Sequence, residues 1–376
     1  MGLEYNVAIY EENRRKLQNA IRRTASMYSK YADTPLMMSI LVTNRCQLHC
    51  RHCFNASLQN SDCAKSGPEE LTIDQYRKIS SSMGIIMKGI FSGGEPFLRE
   101  DLAEIVSLFQ KNNRIIWTSL STNGQDTQSV FQTIEKILIN APHQHLSLAF
   151  SLDGFLEYHE YIRGKGTFDR CLQTWKECQK LKKYPHYDQY ICTTINTVNQ
   201  QILPAFLHWC IKELEPSMVS VLKTRQHPRD GDHLKNVNVD WYRQCREAVE
   251  WEIRQGNMGD VNIPQTYMNS WICRHVEETL QTGKRSFHCY AGQYGGFLQY
   301  DGSVGVCEVL PPIGNLADYA YNFRELWNSR HAQSCRKAVD QYGECHACTH
   351  ETEGMIPSLF FGRNATSPLS PDREEG

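Results

Sequence analysis

Residues 43–55 read TNRCQLHCRHCFN and place Cys46, Cys50 and Cys53 in a C-x3-C-x2-C run. No fourth cysteine or well-placed histidine follows to close a tetrahedral set, and His49 and His52 read as loop residues between ligands. Thiolates select soft or borderline metals, chiefly zinc and iron–sulfur clusters. Structural zinc takes four protein ligands. Three thiolates instead suit three irons of a 4Fe–4S cube and leave the fourth iron open to an exogenous chelating ligand. On spacing alone three readings stand: an iron–sulfur cluster, zinc completed by a distant fourth ligand, or buried thiols.

A second group lies near the end of the chain. Twelve residues separate Cys289 from Gly302, four more lead to Cys307, and Cys345-x2-Cys348 follows. Four cysteines in two pairs make a complete ligand set for zinc or a filled 4Fe–4S cluster. Glu308 follows Cys307 directly and reads as a surface carboxylate or a hydrogen-bond acceptor. Cys171, Cys178, Cys192, Cys210 and Cys245 sit in periodic segments and read as buried, inert thiols.

Between the two groups the pattern alternates. Strand-like runs occur at LMMSILVT, IIMKGIFS, IIWTSLST, HLSLAFSL, QYICTTINTV and SMVSVLKT. Helical stretches separate them, with Leu102, Ile105, Val106 and Phe109 on one face and Val130, Ile134, Ile137 and Leu138 on another. Six such units predict a parallel α/β fold, and six are too few to close an eight-stranded barrel, so an open partial barrel is expected. In such folds chemistry collects at the carboxyl ends of the strands. The Cys46 loop, SGGEP (92–96), STNG (121–124) and SLDG (151–154) all fall there. Gly93 and Gly94 permit close backbone approach, and Glu95 offers an acceptor to an ammonium group. Asn123 and Gly124 suit a left-handed turn, Ser151 and Asp153 suit a helix cap, and Arg163 is a solvated charge or the partner of a ligand carboxylate. Lys223, Arg225, His227 and Arg229 read as a solvated loop with the capacity to hold an anion. The expected division is a helical extension over 1–35, a barrel over 36–235, a helical linker over 236–285, a cluster domain over 286–352 and a polar tail over 353–376.

Composition narrows the class. The net charge of -2 gives no reason to expect nucleic acid or an acidic membrane surface as a partner. Apolar runs are only strand-length, and the start lacks the apolar region of a secretion signal, so a cytoplasmic protein is expected. Fifteen cysteines in 376 residues, clustered and odd in number, point to metal ligation in a reducing compartment.

The ordered set of Cys-x3-Cys-x2-Cys after a first strand, GGEP after a second, and SLDG…HEYIRGKGTFD resembles the radical S-adenosylmethionine (radical SAM) enzymes over about 37–225. That resemblance implies a partial (β/α)6 TIM-like barrel, a cluster on Cys46, Cys50 and Cys53, and S-adenosylmethionine chelating its open iron. It further implies that Gly93, Gly94 and Glu95 receive the methionyl amine and that Ser151 and Arg163, with Asn123 and Asp153, contact the cosubstrate. The second cysteine group, with GNL…ELWNS behind it, resembles the SPASM and twitch extensions of the same superfamily, where such residues hold an auxiliary 4Fe–4S cluster. The further cysteine of a full SPASM pattern is absent, with Gly354 or Thr352 in its place, so one auxiliary cluster is implied. Cys273 and Cys335 are possible substitute ligands. In sulfatase-maturing relatives the residue matching Glu308 is proposed as a base. The implied partners are a one-electron donor such as flavodoxin or ferredoxin and a peptide or small-molecule substrate. A separate recognition protein could serve a peptide maturase. Readings of another class are a zinc-stabilised binding protein and an iron–sulfur electron-transfer protein.

Overall fold

The computed structural model describes residues 33–57, 69–258 and 263–361, together with Arg23. Most of the expected extension over 1–35, and the tail beyond 361, lie outside the described residues. In chain order the first part runs β1 (Met37–Thr43), α1 (Ile73–Ser82), β2 (Lys88–Gly93), α2 (Leu102–Asn113), β3 (Trp117–Thr122), α3 (Thr127–Asn140) and β4 (His145–Ser151). It continues through α4 (Leu156–Arg163), α5 (Thr167–Cys178), β5 (Tyr187–Ile195), α6 (Leu203–Leu214) and β6 (Val219–Lys223). All six strand runs become strands. They lie side by side in the order β6-β5-β4-β3-β2-β1, every pair parallel. β6 and β1 do not pair with each other, so the barrel is open.

Local sequence explains the pieces. β1 is apolar at nearly every position and buried along its whole length, as a strand covered on both faces must be. The predicted faces of α2 and α3 are buried at all eight apolar positions. α1 starts at a capping box: Gln75 N donates to Thr72 Oγ1 at 3.3 Å and Thr72 N to Gln75 Oε1 at 2.7 Å, satisfying two exposed helix-end donors.

The last third departs from expectation in two places. After α7 (Val239–Gln255) and α8 (Ile263–Thr282), β7 (Gly295–Leu298) joins the main sheet, parallel to β1, and β8 (Ser303–Gly305) and β9 (Gly314–Asn315) extend it antiparallel. The cluster segment therefore continues the barrel sheet. β8 ends at Gly305, and the chain then turns around Cys307. After α9 (Phe323–Trp327) and α10 (Arg330–Lys337), residues 353–361 are not the start of a polar tail. They complete a π-turn and α11 (Ile356–Phe361), with Met355, Ile356 and Leu359 buried. Those apolar residues pay no part in the polar character that begins after residue 361. Among the described residues no helix is long and apolar enough to cross a membrane.

One contact seats the Cys46 loop on the sheet. Gly94 N donates to Thr43 O and Glu95 N to Arg45 O, both at 2.8 Å. A Cβ on Gly94 would lie 2.1 Å from the Arg45 carbonyl oxygen, and one on Gly93, at φ 146°, would lie 2.3 Å from that of Thr43. The close approach these glycines permit is thus made to the chain's own backbone. Gly94→Ala should cost roughly 1–3 kcal/mol, the usual range for overpacking. A lowered thermal midpoint, with weakened metal retention at the Cys46 loop, is the expected result of calorimetry and iron assay.

Candidate active site

The carboxyl ends of β1 to β6 open into one cavity of about 320 Å³. Cys46, Cys50 and Cys53 line it, as do Gly93, Gly94, Glu95, Asn123, Ser151, Arg163 and Glu308. The loop that carries the thiols is tied down from three sides. Arg51 N donates to Ile162 O at the end of α4, Asp230 N and Arg229 N donate to Arg51 O and Cys53 O, and Arg51 pairs with Asp230 at 2.6 Å. Burial pushes the Cys50 thiol up to about 12 and raises Cys46 and Cys53 as well. The charge of Cys53 acts on Cys46, and those of Cys53 and Cys46 act on Cys50, as befits thiols gathered on one loop.

Arg163 is not a solvated charge. Its side chain is 9% exposed, its Nε lies 2.5 Å from Asp153 Oδ2, and its Nη1 reaches to 3.9 Å from Cys50 Sγ. Burial alone would raise the Asp153 carboxyl, but the Arg163 guanidinium holds it at about 2. Asp153 caps no helix; its Oδ1 accepts from Thr194 N at 2.8 Å, which locks the pair to β5. His52 lies 3.6 Å from Asp153, and burial lowers it to about 4, so it is neutral. Glu95 is buried and raised to about 7 by burial, while Thr122 Oγ1 and Asn123 N donate to its two oxygens at 2.9 and 2.8 Å. The carboxylate thereby binds the β3 loop to the β2 loop. Asn123 Nδ2 in turn sits 3.8 Å from Cys46 Sγ.

The second thiol group assembles behind this rim. Cys289 feels the charges of Cys348 and Cys345, and Cys307 feels that of Cys289. Gly354, one position considered for a further cysteine, packs so closely that a Cβ there would lie 2.8 Å from Cys289 Sγ. The substitutes considered above lie elsewhere: Cys273 pairs with Tyr242, and Cys335 sits 3.6 Å from His331.

Among the described residues, neither thiol group is drawn in to the spacing that a single tetrahedral ion requires. Four thiolates around one tetrahedral zinc would stand roughly 3.8 Å apart for Zn–S bonds near 2.3 Å. Neither thiol group has three sulfurs within 4.8 Å of one another; among the described residues only Cys307, His350 and Glu353 approach so closely. Both ring nitrogens of His350 are engaged, Nδ1 by Arg225 and Nε2 by Glu353, so that trio is a hydrogen-bonded ion network.

Sequence reasoning missed this network. Arg225 lies 2.7 Å from Glu308 and 3.4 Å from Glu351, and His350 lies 3.3 Å from Glu308. Glu308 is a cavity wall residue, and burial raises its carboxyl despite Arg225. Lys223 also lines the cavity, whereas the His227 side chain is 90% exposed. Cys192, read as inert, faces the cavity from β5. The run KTR at the end of β6 and THETE after Cys348 carried the only hint, as charges placed at a strand end and beside a ligand.

Removing the charge from Asp153 would strand a buried guanidinium. Asp153→Asn should destabilise the protein by roughly 3–5 kcal/mol, the cost of breaking a buried pair. Calorimetry of wild type and variant at neutral pH checks this, and a change below about 1 kcal/mol would contradict the buried-pair reading.

Residues 40–206 match the Radical SAM superfamily, and residues 289–349 match the SPASM iron–sulfur cluster-binding domain. Mycofactocin maturase MftC of Mycolicibacterium smegmatis is 24% identical over 241 residues, which cover 63% of this chain and 56% of the maturase. Pre-heme d1 synthase of Dinoroseobacter shibae is 28% identical over 340 residues, covering 82% of this chain and 78% of the synthase. The chain thus spans little more than half the length of the first of these relatives. The solved structure of native anSMEcpe with bound AdoMet and Cp18Cys peptide has a TM-score of 0.54 at 20% identity, covering 80% of this chain and 82% of that one, which shows a shared fold. The radical SAM domain brings a 4Fe–4S cluster and S-adenosylmethionine, and the SPASM domain brings auxiliary iron–sulfur binding. The chain thus carries a radical SAM domain over residues 40–206 and a SPASM-type cluster-binding domain over residues 289–349.

Proposed function

We propose that the protein takes hydrogen from an unactivated C–H bond of a peptide or small polar metabolite, as a step in an oxidative or bond-forming modification. The observation that carries this reading is the single cavity shared by the three thiols, the Gly93–Glu95 turn and the Glu308 network. When bound and reduced by one electron, the cluster and S-adenosylmethionine supply the hydrogen-abstracting chemistry.

The chain's own residues do the rest. Cys46, Cys50 and Cys53 hold the cluster at the cavity rim, with Cys50 the buried member of the three. Gly93 and Gly94 let the β2 turn meet the thiol loop, and Glu95 and Asn123 brace the β3 loop against Cys46. Ser151 and Arg163 face the cosubstrate, while Asp153 acts through Arg163 as a positioning residue. Cys289, Cys307, Cys345 and Cys348 hold one auxiliary cluster. Glu308, at the cavity wall between Arg225 and His350, is placed to accept a proton from substrate. An external donor such as flavodoxin or ferredoxin supplies the electron. The relatives, a maturase and a synthase by name, differ in what they make, so the cavity's own chemistry must define the substrate.

Anaerobic reconstitution should give a brown protein with about eight irons, four for each cluster. Reduction with dithionite in the presence of S-adenosylmethionine should release 5′-deoxyadenosine. Cys50→Ala should abolish that release and lose about half the iron, and Cys345→Ala should lose the other half. A colourless protein holding zinc would contradict the proposal, and a full iron complement without cleavage would point to electron transfer instead.

A further inference from the structure

We propose that the barrel lumen beneath the thiol loop receives a carboxylate-bearing group of the substrate and anchors it on the ammonium of Lys88. This rests on the proposed function above and narrows its substrate class.

Barrel interiors are ordinarily filled by branched apolar side chains stacked in layers. Here Ser39, Ser92, Ser119, Ser121, Ser151 and Ser220, from β1, β2, β3, β4 and β6, all line the cavity. Small side chains leave the lumen hollow, and their hydroxyls place polar groups in a lining that is otherwise mostly apolar, with Leu41, Ile90 and Leu120 among them. The volume of about 320 Å³ falls within the size of small-molecule sites.

Lys88 opens β2, level with Met37 of β1 and Trp117 of β3, and so sits on the floor of the barrel. It is only 8% exposed, yet it lines the cavity. Its Nζ lies 4.6 Å from the centre of the Trp117 ring. Among the described residues it makes no hydrogen bond or ion pair. The nearest influential acid is Asp188, whose oxygens already receive His145, Ser147 and Ser217. Burial lowers Lys88 to about 8, and Asp188 offsets part of that.

A buried ammonium left with a ring face and an already engaged carboxylate, and with no hydrogen-bond acceptor of its own, is costly, and a methionine would fill the same space without that cost. The missing partner is therefore an anion brought by the ligand. One ammonium among hydroxyls suits a singly charged carboxylate, whereas phosphate sites gather guanidinium groups or helix N-termini. Ser92 lies four positions along β2 from Lys88, roughly 13 Å at the rise of a strand. A group held at the floor would thus extend upward, toward the thiols at the rim.

The test uses oxidised holoenzyme, which cannot cleave S-adenosylmethionine, so its outcome is separate from that of the 5′-deoxyadenosine assay. Cyanate, small enough to enter the cavity, carbamylates Lys88, and peptide mapping measures the rate. Sodium glutarate and N-acetyl-Gly-Glu-Gly-amide are the two probes, with sodium chloride at equal ionic strength as control. Saturable protection of Lys88 by glutarate alone would indicate a free acid as the source of the carboxylate, and protection by the peptide would indicate an acidic side chain. Both outcomes support the proposal. Equal protection by chloride, or none by either probe, overturns it. Lys88→Met should weaken binding of the protecting probe, measured by equilibrium dialysis, roughly tenfold or more. Unchanged binding overturns the proposal, and if the variant does not fold, the protection result on wild type decides alone.

Discussion

Three thiols withdrawn from water set the terms for the rest of this structure. Burial favours the protonated form of each, most strongly at Cys50. A metal centre reverses that preference, since a coordinating thiol is deprotonated outright. The fold's work is to present three such thiols on one rim of the cavity and hold them still. Arg163 is the cation held against Cys50, and it stays there because Asp153 holds it and β5 holds Asp153.

The same logic links the two ends of the chain. β7 pairs with β1, the strand that launches the thiol loop, so the C-terminal segment is built onto the barrel sheet. That pairing brings Glu308, Glu351 and His350 to Arg225 at the end of β6. The resulting ion network forms a wall of the cavity, with Cys307 immediately behind it. The position of the auxiliary thiols and the shape of the substrate space are therefore consequences of one strand pairing.

Much of this was legible in the sequence. The six strand runs and the helix faces between them follow from period and burial, because the eight periodic apolar positions in α2 and α3 share one inward face on each helix. The loops at the strand ends were legible too, since cysteine and glycine at fixed spacing have few other uses. What stayed hidden depended on distant partners. Arg163 looks the same in sequence whether solvated or buried, and only its contact with Asp153 decides. Residues Gly295–Leu298 read as a short strand, but nothing local says that its neighbour is β1, more than 250 residues earlier. Lys88 left a trace, a lysine inside an apolar strand run, whose meaning required the shape of the lumen around it. The apolar α11 was overlooked because the polar residues after it dominate the end of the chain.

The central claim is that the Cys46, Cys50 and Cys53 centre keeps one coordination position open for S-adenosylmethionine. Electron paramagnetic resonance of the anaerobically reduced Cys345→Ala variant, which retains only that centre, addresses it directly. Titration with S-adenosylmethionine should change the g-values of the signal in a saturable way. A signal that stays the same at every concentration would mean that the position is closed and would contradict the account.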